Sequence, residues 1–275
     1  MSRRSACLTA VFIVLAGPLT AQAMPTAQPK LLDIFRETEK PGHSRAHVVT
    51  EAKWADLNRT SGYPATYLAL VASSGTPEVW WVTGFDSFDG LGKSNAFGAD
   101  NPSYTQAIGR IAMEDGDHIT ATGRMQARAL PDAGHGAFPE LAKMRVFSIL
   151  TIRMRPGMEP AFTELGKHFA AIAGSASGIA GWRAYEVIAG APGGTHLIFA
   201  TFPSWAAVDA NEAAWAQAMG GAGAHLEAAG KLVREAVMST DSRYFEVNPR
   251  MSLVSKEMAA DPFWGPKPAA KKATP

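Results

Sequence analysis

Cysteine is almost absent from this chain of 275 residues, in which Cys7 is the single copy. Cys7 lies in an N-terminal segment that we expect to be removed, so the mature chain would carry no thiol. Disulfide bonds, thiolate nucleophiles and cysteine-ligated metal centres are therefore excluded from the mature chain.

The chain also lacks an excess of charge of either sign. It has 26 lysine and arginine residues against 25 acidic residues, and its formal net charge is +1. No predicted face carries a cluster of basic side chains, which is the feature that binds nucleic acid or anionic lipid. We therefore expect no nucleic acid among its partners.

Long hydrophobic runs are missing as well. The apolar run at residues 6–16 has about half of the roughly 20 residues that a membrane-spanning helix needs, and no later segment approaches that length without charges. The run follows two arginines and precedes an Ala-Gln-Ala sequence ending at Ala23, a pattern typical of a signal peptide. We predict a signal peptide over residues 1–23, cleaved after Ala23, an exported (periplasmic or secreted) protein, and no membrane span.

The sequence motifs of several enzyme classes are not found. There is no GxSxG, Walker, GxGxxG or HExxH pattern in the chain. The sequence thus supports no assignment as a classical hydrolase, a nucleotide-binding enzyme or a zinc protease.

Two stretches of the chain share a Pro-Gly pair in the same setting. In residues 146–172 an alternating apolar run reaches the pair at Pro156 and continues with helical period, and residues 31–57 repeat this around Pro41. Proline cannot donate to a strand ladder and glycine permits a turn, so each pair marks where a strand gives way to a helix. Each half then predicts a hairpin, further helix and a last strand, in the order β-α-β-β-α-β.

The predicted elements have the following bounds. In the first repeat, residues 28–130, the strands are residues 31–39, 65–73, 78–85 and 118–130, the helices are 43–59, 87–91 and 103–113, and a loop covers 96–102. After a linker at 131–144, the second repeat, residues 145–248, has strands at 146–154, 182–189, 195–202 and 235–247 and helices at 162–172, 205–219 and 226–234. Residues 261–275 are rich in proline, alanine and lysine and predict a disordered tail.

This pattern resembles the dimeric α+β barrel superfamily, which includes antibiotic biosynthesis monooxygenase-like and NIPSNAP-like domains. The resemblance rests on the strand that ends in Pro-Gly, the helix after it, the hairpin, and the sequences FDSF at 85–88 and FPSW at 202–205. It covers residues 31–247 and implies a tandem duplication. The implied fold class is α+β, with two ferredoxin-like β-α-β-β-α-β repeats forming an intramolecular α+β barrel.

The helix after each Pro-Gly pair differs between the halves. At an offset of 115 residues, the apolar stripe of the second half corresponds to a half-polar stripe in the first, which contains His47 and Trp54. In members of the superfamily a ligand lies between this helix and the sheet. The candidate ligand-pocket residues are therefore His43, His47, Trp54 and Trp81, although Trp80 and Trp81 alternate and the sequence does not show which one faces the pocket.

Histidines could also ligate a metal ion or a haem. His43, His47 and Glu51 are spaced four residues apart, which can present ligands to one ion. Without a partner from a second element such residues usually face solvent, so we predict no metal and no other cofactor. The resemblance implies a histidine ligand if haem binds, and His168 and His225 are the candidates, whereas we expect an exposed His196.

The function predicted from these residues is binding rather than a defined reaction. We predict an exported protein that binds a small apolar molecule between the sheet and the helices of the first repeat. The alternative is a cofactor-independent monooxygenase of an aromatic substrate, with His47 as base, and haem binding is third. We assign no catalytic residue, and homodimer formation is optional because a tandem chain can complete the barrel internally.

Overall fold

Each half of the chain contains the same succession of elements. The computed structural model describes residues 23–265, in which the first half runs β1 (Leu31–Glu39), α1 (Ser44–Ser61), β2 (Tyr67–Ala72), β3 (Glu78–Phe85), α2 (Phe88–Asp100), α3 (Pro102–Asp115) and β4 (Ile119–Ala129). The second half runs β5 (Val146–Met154), α4 (Ala161–Gly174), β6 (Trp182–Ala189), β7 (Thr195–Phe202), α5 (Trp205–Gly220), α6 (Gly223–Ala236) and β8 (Val237–Val247). A short helix, α7 (Lys256–Ala259), follows.

The strands close into one antiparallel barrel. Strands β4-β1-β3-β2 form one four-stranded sheet and β8-β5-β7-β6 form the other. Hydrogen bonds between β2 and β8 and between β4 and β6 join the two sheets, so that no strand is left at an edge along its whole length. The predicted α+β fold class, two ferredoxin-like β-α-β-β-α-β repeats in an intramolecular α+β barrel, is confirmed.

The two faces of each sheet have different neighbours, because successive side chains of a strand point to opposite faces. Alternate residues of the strands point into the barrel and form a single apolar core. Trp80 is among them, with its ring centroid 5.1 Å from that of Phe245. Trp81 points the other way, towards the helices. The outer faces of the barrel are therefore where the helices pack and where space for a ligand can arise.

Helix α2 is longer than its sequence predicts. The sequence predicts a helix that ends at Leu91 and a loop at residues 96–102, but the helix continues to Asp100. Phe97 is buried, and its ring lies edge-on to the ring of Tyr63 at a centroid distance of 5.5 Å. This tertiary contact outweighs the low helix propensity of the glycines in the segment, so the predicted boundary is wrong.

The segment after β8 is packed rather than free. Trp264 is 2% exposed, and its Nε1 donates a hydrogen bond to the carbonyl oxygen of Ala142 at 2.8 Å. The guanidinium carbon of Arg145 lies 3.7 Å from the centroid of the Phe263 ring, a cation–π contact. The disordered tail predicted from residue 261 therefore begins too early, because this aromatic pair is held by the rest of the molecule.

Two predicted segments lie largely outside the described residues. They are the signal peptide, of which residues 1–22 lie outside, and the tail, of which residues 266–275 lie outside. Within residues 23–265, none of the helices has the length and apolar character needed to cross a membrane.

Closure of the barrel between β4 and β6 depends on a glycine. Gly190 follows β6 with a φ of 84°, which lies in the left-handed region that other residues disfavour. A Cβ atom at this position would also meet the backbone of β4, at the carbonyl oxygen of Arg124 and 2.8 Å from the Cα of Met125. The turn between β6 and β7 thus fits against β4 only because residue 190 has no side chain.

We expect Gly190→Ala to lower the free energy of unfolding by at least about 2 kcal/mol, because it adds backbone strain and a clash at the junction. The matched control is Gly193→Ala in the same turn, where a Cβ would meet nothing within 4 Å, and where the change is neutral or slightly stabilising. Urea unfolding of both variants measures the difference. Equal stability of the two would show that the junction tolerates a side chain.

Candidate functional site

Strand β1 presents acidic side chains to the helices. Asp33, Glu37 and Glu39 occupy alternate positions, so they point to the same face of the sheet, and each is 5% exposed. Helix α1 begins just after the turn at Pro41 and lies over this face. The chain thereby packs the half-polar stripe of α1 against a strand that carries carboxylates.

His47 of α1 lies between two of these glutamates and is fully buried. Its Nδ1 is 3.0 Å from Oε1 of Glu39, and its Nε2 is 2.9 Å from Oε2 of Glu37. The other carboxylate oxygen of Glu39 accepts a hydrogen bond from the hydroxyl of Ser44. Because both ring nitrogens are engaged by carboxylates, the geometry does not favour His47 as a base that takes a proton from a substrate.

Asp115 and Glu51 complete the group. Asp115 is the last residue of α3 and is 2% exposed, and its Oδ1, which lies 3.6 Å from Nε2 of His47, has no hydrogen-bond partner. Glu51, one turn after His47, is 6% exposed. One nitrogen or oxygen atom from each of Glu37, His47, Glu51 and Asp115 lies within 4.8 Å of the others. We call these four residues the His47 cluster.

Burial and neighbouring charges shift the pKa values in the cluster. Burial alone would lower the pKa of His47, but its hydrogen bonds to Glu37 and Glu39 outweigh this effect and raise the pKa to about 10. Burial, followed by the charges of Glu37 and Asp115, raises the pKa of Glu51 to about 8. Burial, followed by the charge of Glu37, raises the pKa of Asp115 to about 6. At neutral pH His47 is therefore positively charged and Glu51 is largely protonated.

A cavity of about 170 Å³ adjoins the cluster at Glu51. Trp54 and Trp81 line it together with three tyrosines. Arg124 and Asp33 form an ion pair at 3.1 Å in its wall. The space between the sheet and the helices of the first half is thus small, and its wall is partly polar.

The structure separates the four pocket residues that the sequence predicts. Trp54 and Trp81 line the first-half cavity. His47 lies beside it, with its ring edge-on to Trp81 at a centroid distance of 5.9 Å. His43 lies outside the cavity, and its Nδ1 is 3.2 Å from Nδ1 of His118. Of His43 and His47, only His47 therefore belongs to the buried group.

A mainly apolar cavity lies in the second half, whereas the sequence predicts an apolar pocket in the first. It has a volume of about 420 Å³ and lies between the second sheet and helices α4 and α5. Its wall is mainly apolar and aromatic, with contributions from Phe162, Phe169, Phe202, Trp182, Trp215 and Tyr244. Exposed Glu212 lies at its rim.

The two halves fill corresponding positions with different chemistry. At the 115-residue offset, the counterparts of Glu37, Glu39 and His47 are Ile152, Met154 and Phe162. These three are buried in an apolar cluster of the second half. His47, on the half-polar stripe of α1, lies against carboxylates of β1. The predicted apolar pocket is therefore not found at this position of the first half.

His168, His196 and His225 are not among the residues that line the second-half cavity. Nδ1 of His168 is 3.1 Å from Nδ1 of His225, and neither residue lines the second-half cavity. This arrangement does not favour either one as a haem ligand in that cavity. His196 is 2% exposed and stacks on Phe162 at a centroid distance of 4.0 Å, so the expectation that it is exposed is wrong. Its burial lowers its pKa and favours the neutral ring.

Sequence reasoning missed Glu37, Glu39 and Asp115. A signal for the two glutamates was present, because they occupy alternate positions of a strand that must face the half-polar helix α1. Asp115 had no such signal. Its contribution depends on how α3 packs against α1, which a local pattern does not contain.

Comparisons with known proteins bear on the fold. No family model matches the sequence, and no curated protein sequence is significantly similar to it. Among solved structures, an anthrone oxidase-like protein is similar with a TM-score of 0.55 and 15% identity, covering 82% of this chain and 94% of the other. A candidate monooxygenase from Fusobacterium nucleatum subsp. nucleatum has a TM-score of 0.53 and 9% identity, covering 80% and 93%.

A chlorite dismutase mutant from Candidatus Nitrospira defluvii is also similar, with a TM-score of 0.50 and 12% identity, covering 82% of this chain and 93% of the other. All three structures have the dimeric α+β barrel fold. At these identities the similarity establishes that this chain shares their fold, and nothing more.

The raised pKa values predict how stability changes with pH. Because folded Glu51 holds its proton up to a pKa of about 8, its contribution is present at low pH and is lost as pH rises from about 4.5 to 8. Glu51→Gln mimics the protonated side chain. In EDTA, we expect this variant to match the native protein near pH 4.5 and to exceed it by at least about 1 kcal/mol, about 2–4 °C in Tm, near pH 8.5.

The matched control for this measurement is Glu227→Gln, which changes an exposed carboxylate of the second half. We expect the difference in Tm between this variant and the native protein to stay constant over the same pH range. Thermal melts at pH 4.5, 6.5 and 8.5 compare the three proteins. If the difference in Tm between Glu51→Gln and the native protein were also constant with pH, the raised pKa of Glu51 would be contradicted.

Proposed function

We propose that this protein binds a small, uncharged, flat apolar molecule in the cavity of the second half. The observation that carries the proposal is the cavity itself, about 420 Å³ of space between the second sheet and helices α4 and α5. Sites for small molecules are concave and mostly apolar and have volumes of about 300–1,000 Å³. Burial of apolar surface would supply most of the binding free energy.

The wall of the cavity suits an aromatic ligand. The ring centroids of Trp182 and Trp215 are 6.0 Å apart, and the ring of Phe169 lies edge-on to Trp215 at 6.2 Å. Such rings offer both faces and edges to a further aromatic ring. Asn211, one of the few polar groups in the wall, already accepts a hydrogen bond from the backbone amide of Ala180 at 2.8 Å.

Helix α5 forms one wall of the cavity. The helix is rich in alanine, and Asn211, Trp215 and Met219 follow one another at intervals of four residues on the side that lines the cavity. None of the alanines of α5 is among the residues that line the cavity. A larger side chain on the opposite wall, on β5, would therefore fill the space.

We further propose that the two halves arose by tandem duplication and that the protein is exported. The matching element order and the positive φ of both Gly42 and Gly157, the glycines of the two Pro-Gly pairs, support a duplication. The pattern at residues 1–23 supports export.

The neutral fluorescent probe N-phenyl-1-naphthylamine tests the ligand proposal. We expect the native protein to bind it and to melt at a higher temperature in its presence. Ser148→Phe adds a ring to the cavity wall on β5 and should raise the Kd at least about tenfold by filling the space. Fluorescence titration measures the Kd, and a thermal melt without probe checks that the variant is folded.

The control variant is Phe88→Ser, which removes the most exposed aromatic side chain of the first half, 61% exposed. It should bind the probe as the native protein does. The proposal fails if Ser148→Phe binds as tightly as the native protein, or if Phe88→Ser loses as much affinity, since the probe would then bind elsewhere.

Export makes a separate prediction. When the full chain is expressed in a Gram-negative bacterium, we expect the periplasmic fraction to contain a protein that begins at Met24. Ala23→Arg places a large charged residue next to the predicted cleavage point and should leave the chain uncleaved. Mass spectrometry of the cell fractions distinguishes the two forms, and a cytoplasmic chain that retains residues 1–23 would refute the prediction.

A further inference from the structure

We propose that the His47 cluster of the first half is a binding site for one divalent transition-metal ion, Zn²⁺ or Mn²⁺. Its ligands would be a carboxylate oxygen from each of Glu37, Glu51 and Asp115, together with Nε2 of His47. This site is independent of the ligand cavity proposed for the second half.

The spacing of the donor atoms fits a shared ion. Ligand atoms about 2.1 Å from an ion lie about 3 Å apart when adjacent and about 4.2 Å apart when opposite. In the cluster, Nε2 of His47 is 2.9 Å from Oε2 of Glu37 and 3.6 Å from Oδ1 of Asp115. All four donor atoms lie within 4.8 Å of one another. A small contraction would therefore bring them to coordination distance.

Asp115 points independently to a missing partner. Its Oδ1 is buried, is directed at the cluster and has no hydrogen-bond partner. A buried polar atom without a partner costs about 1–3 kcal/mol, and more when it is charged. The ion pair with His47 at 3.6 Å is too long for a hydrogen bond, and a cation coordinated by this oxygen would supply a direct partner.

Glu39 and Ser44 hold His47 in the orientation that a metal ligand needs. Histidines that bind a metal through one ring nitrogen usually donate the other N–H to a carboxylate or a carbonyl oxygen. Here Nδ1 of His47 is 3.0 Å from Oε1 of Glu39, and Ser44 in turn hydrogen-bonds to Glu39. The other nitrogen, Nε2, is thereby directed at Glu37 and Asp115.

The excess of carboxyl groups in the cluster also favours a bound cation. Four buried carboxyl groups, including that of Glu39, surround a single imidazole, and no lysine or arginine within residues 23–265 forms an ion pair with any of them. A protonated His47 offsets only one negative charge of this group, and buried charges that lack a partner cost several kcal/mol each. The second half shows that the fold does not require them, since Ile152, Met154 and Phe162 fill the matching positions.

The donor set narrows the choice of ion. Three carboxylates and one imidazole combine the oxygen ligands that suit Mn²⁺ with the nitrogen ligand that suits Zn²⁺. A cluster without sulfur does not favour Cu⁺. Glu51 faces the adjoining cavity of about 170 Å³, which gives an ion a route in and room for a water ligand.

Isothermal titration of the EDTA-treated, dialysed full chain with Zn²⁺ and separately with Mn²⁺ tests the proposal. We expect at least one of the two ions to bind with a stoichiometry of about one per chain and to raise the Tm. Asp115→Asn should weaken binding at least about tenfold, and Glu39→Gln about 10- to 100-fold by releasing His47. Glu227→Gln, an exposed change far from the cluster in sequence, should leave the Kd unchanged.

A second variant keeps the test decisive if a single substitution unfolds the protein. Glu37→Ile, Glu39→Met and His47→Phe together copy the residues of the second half, so we expect this variant to fold and to bind neither ion. Absence of binding by the native protein overturns the proposal. Binding that the triple variant retains also overturns it, since the ion would then be held elsewhere.

Discussion

Closure of the barrel is the constraint on which the rest of the structure depends. Two short ladders achieve it, one between β2 and β8 around Val71 and Glu246 and one between β4 and β6 around Ala127 and Val187. Closure pairs the edges of the sheets and leaves the interior to a single apolar core. The cavity beside the His47 cluster and the cavity of the second half both lie in the two outer layers, between a sheet and its helices.

The two outer layers have the same geometry and opposite chemistry. In the second half, Phe162 belongs to a buried apolar cluster, and a mainly apolar cavity lies between the sheet and helices α4 and α5. In the first half, His47 occupies the position of Phe162 and is surrounded by carboxylates. Burying charge costs free energy, and the fold forms without buried carboxylates at the matching positions of the second half. This contrast is why we propose a metal site in the first half and a ligand cavity in the second.

Much of the fold could be predicted because its signals are local. The alternation in β1 and β5 and the Pro-Gly pairs at Pro41 and Pro156 placed the transitions from strand to helix correctly. The end of α2 and the packing of Trp264 could not be predicted, because they rest on contacts with residues remote in sequence. The half-polar stripe of α1 drew attention to His47, but such a stripe looks the same whether its partner is a ligand, water or a buried carboxylate.

The sequence by itself determined the order of the elements, the α+β class and the scarcity of thiol chemistry, because periodicity, turn residues and composition act over a few neighbouring positions. Only the tertiary structure decided that Trp81 rather than Trp80 faces the helices, that Asp115 lies beside His47, and that an apolar cavity lies beside α5. Each of these depends on the distance and orientation between side chains on different elements. Those distances are set by how the helices pack on the closed barrel, and no local pattern in the chain encodes them.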